Sequence, residues 1–74
     1  MKLKSIAANQ TVLTLNNGDQ VFFSYETPVA AFISGRGYVK TERKYSNTTT
    51  KHVNNWTNRT EKTEPQEFFD NLVK

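Results

Sequence analysis

Two short apolar runs near the start of the chain predict a β-hairpin. Residues 11–15 and 20–25 are rich in β-branched and aromatic side chains, and Asn16-Asn17-Gly18-Asp19 lies between them. Asn-Gly favours a two-residue type I′ turn, because both loop positions then take positive φ values that Asn and Gly tolerate. The pattern therefore predicts two antiparallel strands joined at Asn17 and Gly18.

The turn also sets the expected register of this hairpin. With Asn17 and Gly18 in the loop, Val12 lies opposite Phe23. Because side chains alternate along a strand, one face would carry Val12, Val21, Phe23 and Tyr25, and the other would carry Leu13, Leu15 and Phe22. We expect the first face to be the main core and the second face to be partly covered. If the second face is uncovered, it would offer a surface for a homodimer.

Two more strands are predicted downstream. Thr27-Pro28 marks an edge, a bulge or a bend, because proline cannot donate a hydrogen bond to a sheet, and the apolar run 29–33 continues the sheet after it. Residues 34–37 contain two glycines and predict a turn. Residues 38–45 then alternate, which predicts an antiparallel strand whose solvent-exposed side carries Tyr38, Lys40, Glu42 and Lys44.

The spacing of apolar residues changes after Ser46 and predicts a helix over about residues 48–58. Ser46 and Asn47 are good N-caps. The predicted inner face carries Thr49, His52, Val53 and Trp56. Because Thr and Asn are weak helix formers, we expect this helix to be held by Val53 and Trp56 docking on the sheet.

A second helix is predicted over about residues 64–73. Thr63 would cap it, with Gln66 three residues later as in a capping box and Pro65 in the first turn. Its apolar stripe would consist of Phe68, Phe69, Leu72 and Val73.

Together these elements predict one small α+β domain spanning residues 1–74. We expect an antiparallel sheet of three to four strands over about residues 3–45, with one or two helices packed on one face.

Composition narrows the classes of function. Only 35% of the residues are hydrophobic, while Thr (10 residues) and Asn (8 residues) are abundant, so the core is small. The chain has no Cys and one His, and no Asp-rich calcium loop surrounds Asp19. No run of 18 apolar residues or secretory signal pattern is present. We therefore expect a non-enzymatic protein with no metal, no cofactor and no membrane contact.

Charge is distributed unevenly along the chain. Residues 36–59 carry six basic side chains against Glu42, a net charge of +5, whereas residues 61–74 carry a net charge of −2. A basic segment of this kind attracts phosphate or an acidic protein surface. Solvated strand and helix faces, neutralised by the acidic tail, account for the same charges without any ligand.

Aromatic residues interleave with these basic residues and predict a candidate binding surface. Its members are Arg36, Tyr38, Lys40, Lys44, Lys51 and His52. Lysines beside an exposed aromatic residue are typical of platforms that stack bases and follow a phosphate backbone. Tyr38 would be that aromatic residue, because Tyr45 and Trp56 are expected in the core. His52 is equally explained by packing beside Trp56 or by a hydrogen bond to a sheet residue.

Three short motifs resemble a group of small uncharacterised proteins of bacteriophages and mobile elements. They are Tyr25-x-Thr27-Pro28-Val29-Ala30, Tyr38-x-Lys40-Thr41, and Tyr45-Ser46-x-Thr48-Thr49-x-Lys51-His52-x-x-x-Trp56. The resemblance covers roughly residues 20–57. It implies a setting, a phage-type protein made in a bacterial cytoplasm, and no activity.

The sequence therefore favours a phage-type accessory protein that acts by binding a host or phage protein. The alternative is a basic nucleic-acid-binding module that uses the surface of residues 36–51. Binding that is lost with salt would favour the alternative, because phosphate contacts release counterions.

Overall fold

The structure is a computed structural model that describes residues 2–7 and 9–73. The strands are β1 (Lys2–Ala7), β2 (Gln10–Thr14), β3 (Gln20–Ser24), β4 (Thr27–Ile33), β5 (Gly37–Thr41) and β6 (Thr63–Glu64). The helices are α1 (Asn47–Trp56), which lies between β5 and β6, and α2 (Gln66–Leu72), which follows β6.

The six strands form one sheet in the order of the sequence. The first five strands are antiparallel neighbours, whereas β6 pairs in parallel with β5. The α+β class is confirmed, but the expected three to four strands are too few. The prediction identified no strand over Lys2–Ala7 and so missed β1. It also missed β6, because a polar two-residue strand has no alternating pattern. The backbone N–H groups of Lys40 and Glu42 donate to the carbonyls of Lys62 and Glu64 and hold β6 in place.

The first hairpin has a different register from the predicted one. Its loop contains three residues, Asn16-Asn17-Gly18, with Leu15 N–H donating to Asp19 O at 2.8 Å and Gly18 at φ +94°. Three-residue loops commonly end on a residue in the left-handed region, and Gly18 fills that position.

Because side chains alternate along each strand, this shift of one residue changes which residues of β2 and β3 share a face of the sheet. Val12 now pairs with Phe22, and Leu13 with Val21. Leu13 and Phe22 therefore point to opposite faces of the sheet, and both are buried. The predicted apolar face of Leu13, Leu15 and Phe22 is therefore not formed, and homodimer formation stays a prediction.

The two helices cover opposite faces of the sheet. In β4, Ala30 packs in a cluster with Val53 of α1, whereas Ala31 packs in a second cluster with Phe69 of α2. Consecutive residues of a regular strand point to opposite faces, and Ala30 and Ala31 pair with consecutive residues of β5. The prediction of one or two helices on one face therefore needs correction, because each face of the sheet carries one helix.

The cluster under α1 contains Val12, Phe22, Val29, Ala30 and Val53, with Trp56 packed against it. The cluster under α2 contains Ala31, Val39 and Phe69, with Ile33, Phe68 and Leu72 packed against it. Because both faces of β4 are apolar, the alternation of its side chains cannot show which face a later helix will cover.

Pro28 lies in an inner strand, which a β-bulge makes possible. Phe22 pairs with Ala30, but the next residue, Phe23, pairs with Pro28, so Val29 has no partner in the register. A bulge interrupts the ladder of hydrogen bonds and thereby tolerates a residue without an N–H group. Of the three alternatives predicted from Thr27-Pro28, the bulge is confirmed.

The start of α1 is confirmed, and that of α2 is not. The Ser46 hydroxyl accepts a hydrogen bond from Thr49 N–H at 3.2 Å and caps α1. Thr63, the predicted cap of α2, lies instead in β6. Gln66 does not complete a capping box; it accepts from the Thr41 hydroxyl and donates to the Pro28 carbonyl, both at 2.8 Å, and so ties α2 to the sheet.

Asp19 joins two turns of the sheet and is buried. Its carboxylate accepts from the backbone N–H of Ser34 at 2.9 Å and from the Asn17 side chain at 3.2 Å. The hairpin loop is therefore fastened to the β4–β5 loop by a charged acceptor.

We expect Asp19→Ala to lower the free energy of unfolding by about 2 kcal/mol, because it leaves the Ser34 N–H without its acceptor. Thermal unfolding followed by circular dichroism measures the loss, which for a domain of this size corresponds to about 4–8 °C per kcal/mol. The control is Glu26→Ala at an exposed turn position, expected to change stability by less than about 0.5 kcal/mol. Equal losses in the two variants would contradict the role given to Asp19.

Candidate functional site

The structure separates the six predicted surface residues into different environments. Lys40 and Lys44 line one cleft, whereas Lys51 is exposed on α1 and does not line it. Arg36 lies on the β4–β5 loop, where its guanidinium forms an ion pair with Glu64 at 3.6 Å and lies 5.8 Å from the ring centre of Phe68. Arg36 therefore belongs to the side of the sheet covered by α2.

Tyr38 is not the exposed aromatic residue that the sequence predicts. Its ring is half-buried and meets Trp56 edge-on at 5.3 Å and Phe32 at 4.9 Å between centroids. Trp56 in turn stacks on Phe22 at 5.0 Å. Tyr38 is part of the packing under α1, because the face of β5 expected to be in solvent is the face on which α1 docks.

His52 makes the hydrogen bond to a sheet residue that was one of its two predicted explanations. Its Nδ1 lies 3.1 Å from the Ser24 hydroxyl, which is also 3.2 Å from the Thr49 hydroxyl. Ser46 donates to Thr49 at 3.3 Å, so a chain of polar groups runs from His52 to the cap of α1. This chain fixes α1 against β3.

A cleft between α1 and the end of β5 carries three of the basic side chains. We call it the cationic cleft, and it has a volume of about 250 Å³. Its charged lining residues are Lys40, Arg43, Lys44 and Glu42. Hydroxyl and amide groups of Thr41, Thr50 and Asn54 also line it.

Arg43 was absent from the predicted surface because alternation put it on the opposite strand face from Lys40 and Lys44. The strand, however, ends at Thr41, whose hydroxyl accepts from Arg43 N–H at 3.2 Å. The chain bends there and alternation stops, so Arg43 lines the same cleft as its two neighbours. The prediction of a strand that continues to residue 45 did not indicate this bend.

Within residues 2–7 and 9–73, the three cations of the cleft form no ion pair. In the part of the chain that the structure describes, the one ion pair joins Arg36 and Glu64. Three positive charges in one cleft, set against Glu42, produce a positive potential that attracts anions.

A second pocket adjoins the cationic cleft and is lined by two exposed tyrosines. We call it the tyrosine pocket, and it has a volume of about 260 Å³. Tyr25 is 51% exposed and Tyr45 is 40% exposed. Val29, Ser46 and Thr49 complete much of its lining, and Tyr45 and Thr49 line the cationic cleft as well.

The sequence did not indicate the position of Tyr25. It was expected at the end of a strand, but it is the first residue of a two-residue turn between β3 and β4, with φ +59°. A left-handed conformation costs a non-glycine residue about 1–2 kcal/mol, and glycine is the usual residue at this position of such a turn.

Comparison with known proteins gives a family for this fold and these sites. Residues 1–71 match DUF8033, a family of unknown function. The chain belongs to the DUF8033 family. No curated protein and no solved structure matches it. The DUF8033 match begins before β1 and ends within α2, so it includes α1, most of α2 and the residues of both pockets. The motif resemblance covers only about residues 20–57.

Two kinds of feature are absent from the described part of this DUF8033 protein. Within residues 2–7 and 9–73, no group of three or more His, Asp or Glu side chains is arranged to hold a metal ion. Neither helix in these ranges has the length and apolar character needed to cross a membrane.

Proposed function

We propose that this protein binds single-stranded nucleic acid without catalysing a reaction, and that the cationic cleft holds the phosphate backbone. The observation that carries the proposal is the convergence of Lys40, Arg43 and Lys44 in one cleft without an ion pair among the described residues. Basic grooves of this kind follow the backbone of a single strand, and their affinity depends strongly on salt.

The exposed ring of Tyr45 at the edge of the cleft favours nucleic acid over other anions. Single-strand binding proteins combine basic grooves with aromatic side chains on which bases stack. Tyr38 and Trp56 cannot serve in this way, because each packs against other aromatic rings of the domain. Tyr45 lies next to Lys44 in the sequence and lines the cleft with it.

An acidic segment of a host or phage protein is the second candidate ligand. It is supported by the polar residues Thr50 and Asn54 in the same cleft, whose side chains can form hydrogen bonds with a peptide backbone. Carboxylates would then occupy the positions of the phosphates.

A binding role also accounts for the one serine–histidine contact better than catalysis does. Ser24 is 2% exposed, and its hydroxyl is already hydrogen-bonded to Thr49 as well as to His52. A nucleophilic serine requires an accessible hydroxyl and a base oriented by a third group. Ser24 and His52 therefore have a structural role in this proposal.

The proposal includes a biological setting, an accessory protein of phage type in the cytoplasm of a bacterial cell. The three motifs that resemble proteins of bacteriophages and mobile elements support this setting.

The test is the salt dependence of binding to a fluorescently labelled oligothymidylate of about ten nucleotides, within the range of known single-strand sites. Three phosphate contacts predict a log–log slope of about −2, because each contributes about −0.7. We expect the combined variant Lys40→Ala, Arg43→Ala, Lys44→Ala to lose most of the affinity and nearly all of this slope. Fluorescence anisotropy gives both quantities.

Lys51→Ala is the matched control, since it removes an exposed lysine of α1 that does not line the cleft. Its slope is expected to stay close to that of the unmodified protein. Binding of a polyglutamate peptide in place of the oligonucleotide would overturn nucleic-acid binding in favour of the second candidate. No binding of either probe at about 50 mM salt would overturn both.

A further inference from the structure

We infer that the tyrosine pocket is a subsite for one nucleobase of the strand whose phosphates lie in the cationic cleft. This inference rests on the proposed function and adds to it a second site with a different ligand chemistry. Its ligand is a flat aromatic ring, whereas the ligand of the cationic cleft is a chain of phosphates.

The pocket has the composition of a site for a planar ring. Tyr25 and Tyr45 contribute two exposed aromatic rings, and Val29 contributes an apolar surface. Its volume of about 260 Å³ suits a small ligand. The hydroxyls of Thr27 and Ser46 provide polar groups at its lining, as small-molecule sites generally do.

The position of Tyr25 is not explained by the fold alone. It has a left-handed backbone conformation at a turn position where glycine would fit without strain, and the residue is 51% exposed rather than buried in the core. Its ring lies near that of His52, at 6.3 Å between centroids. A bulky exposed ring on a strained residue indicates that the ring has a use in binding.

The pocket and the cleft are adjacent, which links their ligands. Tyr45 and Thr49 line both, so a ligand in one lies against the same side chains as a ligand in the other. In a nucleic acid each base is attached by one sugar to the phosphate backbone. A strand passing along Lys44 can therefore place a base beside Tyr45.

The experiment compares two probes of equal length and charge, an oligothymidylate of about ten nucleotides and an abasic oligonucleotide without bases. We expect the oligothymidylate to bind at least about 5-fold more tightly, the lower limit for stacking one base on an aromatic side chain. Tyr25→Gly and Tyr45→Ala should each reduce this preference, and the double variant should abolish it. The affinity of the Tyr25→Gly variant for the abasic probe should not change, because Tyr25 does not line the cationic cleft.

Tyr25→Gly also separates binding from folding. Glycine tolerates φ +59°, so the variant is expected to be as stable as the unmodified protein, which thermal unfolding checks. A folded variant that has lost the preference for bases supports the subsite.

The outcomes distinguish this inference from the proposed function. Equal, salt-dependent binding of both probes would overturn the base subsite and leave nucleic-acid binding in place. A base preference that persists in the double variant would also overturn the subsite, because the base would then bind elsewhere. Failure of both probes to bind would overturn the proposed function and the inference together.

Discussion

Phe22→Ala is expected to leave most of the protein molecules unfolded at about 25 °C. Phe22 is fully buried, pairs with Val12 and Ala30 in the sheet, and stacks on Trp56 at 5.0 Å. Removing a buried Phe ring costs about 3–5 kcal/mol. A single core in a chain of this length supplies about the same amount. The substitution therefore removes nearly the whole margin of stability.

Trp56 is the one tryptophan of the chain, so its fluorescence reports on this contact directly. We expect the emission of the Phe22→Ala variant to match that of the protein in denaturant, and its circular dichroism to lose the sheet signal. Leu3→Ala is the matched control, because Leu3 is 72% exposed and its loss should change stability by less than about 0.5 kcal/mol. A cooperative unfolding transition near that of the unmodified protein would contradict the prediction.

Phe69→Ala is expected to lower the free energy of unfolding by a similar amount, about 3–5 kcal/mol, although it acts on the other face of the sheet. Phe69 is fully buried and is the residue of α2 in the cluster with Ala31 and Val39. Without its ring the helix loses its main attachment, and the apolar side of β4 and β5 becomes accessible to water. We therefore expect the sheet to unfold with α2.

Hydrogen exchange separates this result from local detachment of the helix. Amides of α2, β4 and β5 should lose protection together in the Phe69→Ala variant. Phe68→Ala, the same change at the neighbouring half-buried residue, should cost less, about 1 kcal/mol. Loss of protection confined to α2 would mean that this helix is an appendage and that the cluster under α1 sustains the fold alone.

Local patterns were enough to predict several elements. Asn17-Gly18 between two β-rich runs correctly predicted a hairpin, and Ser46 ahead of Val53 and Trp56 correctly predicted a capped helix docked on the sheet. These features depend on residues a few positions apart, and turn chemistry, capping and helical periodicity act over that distance.

The candidate site was predicted only in part, because local patterns do not show which segments distant in the sequence come together. Lys40 and Lys44 could be selected because the basic residues cluster in the sequence. Arg43 and Tyr45 could not, because their positions depend on the bend after Thr41 and on the docking of α1. Tyr38 was assigned to solvent because nothing in a strand pattern shows which face a later helix will cover.

The sequence by itself determined that this chain is a small α+β domain with a basic middle segment, because hydrophobic periodicity and charge order are properties of the chain alone. Only the tertiary structure decided the register of the first hairpin, the placement of α1 and α2 on opposite faces, and the convergence of three cations beside two tyrosines. The physical reason is that these features depend on contacts between residues distant in sequence. Alternatives such as a two-residue and a three-residue loop, or one sheet face and the other, differ little in local free energy, and the packing of the whole domain selects between them.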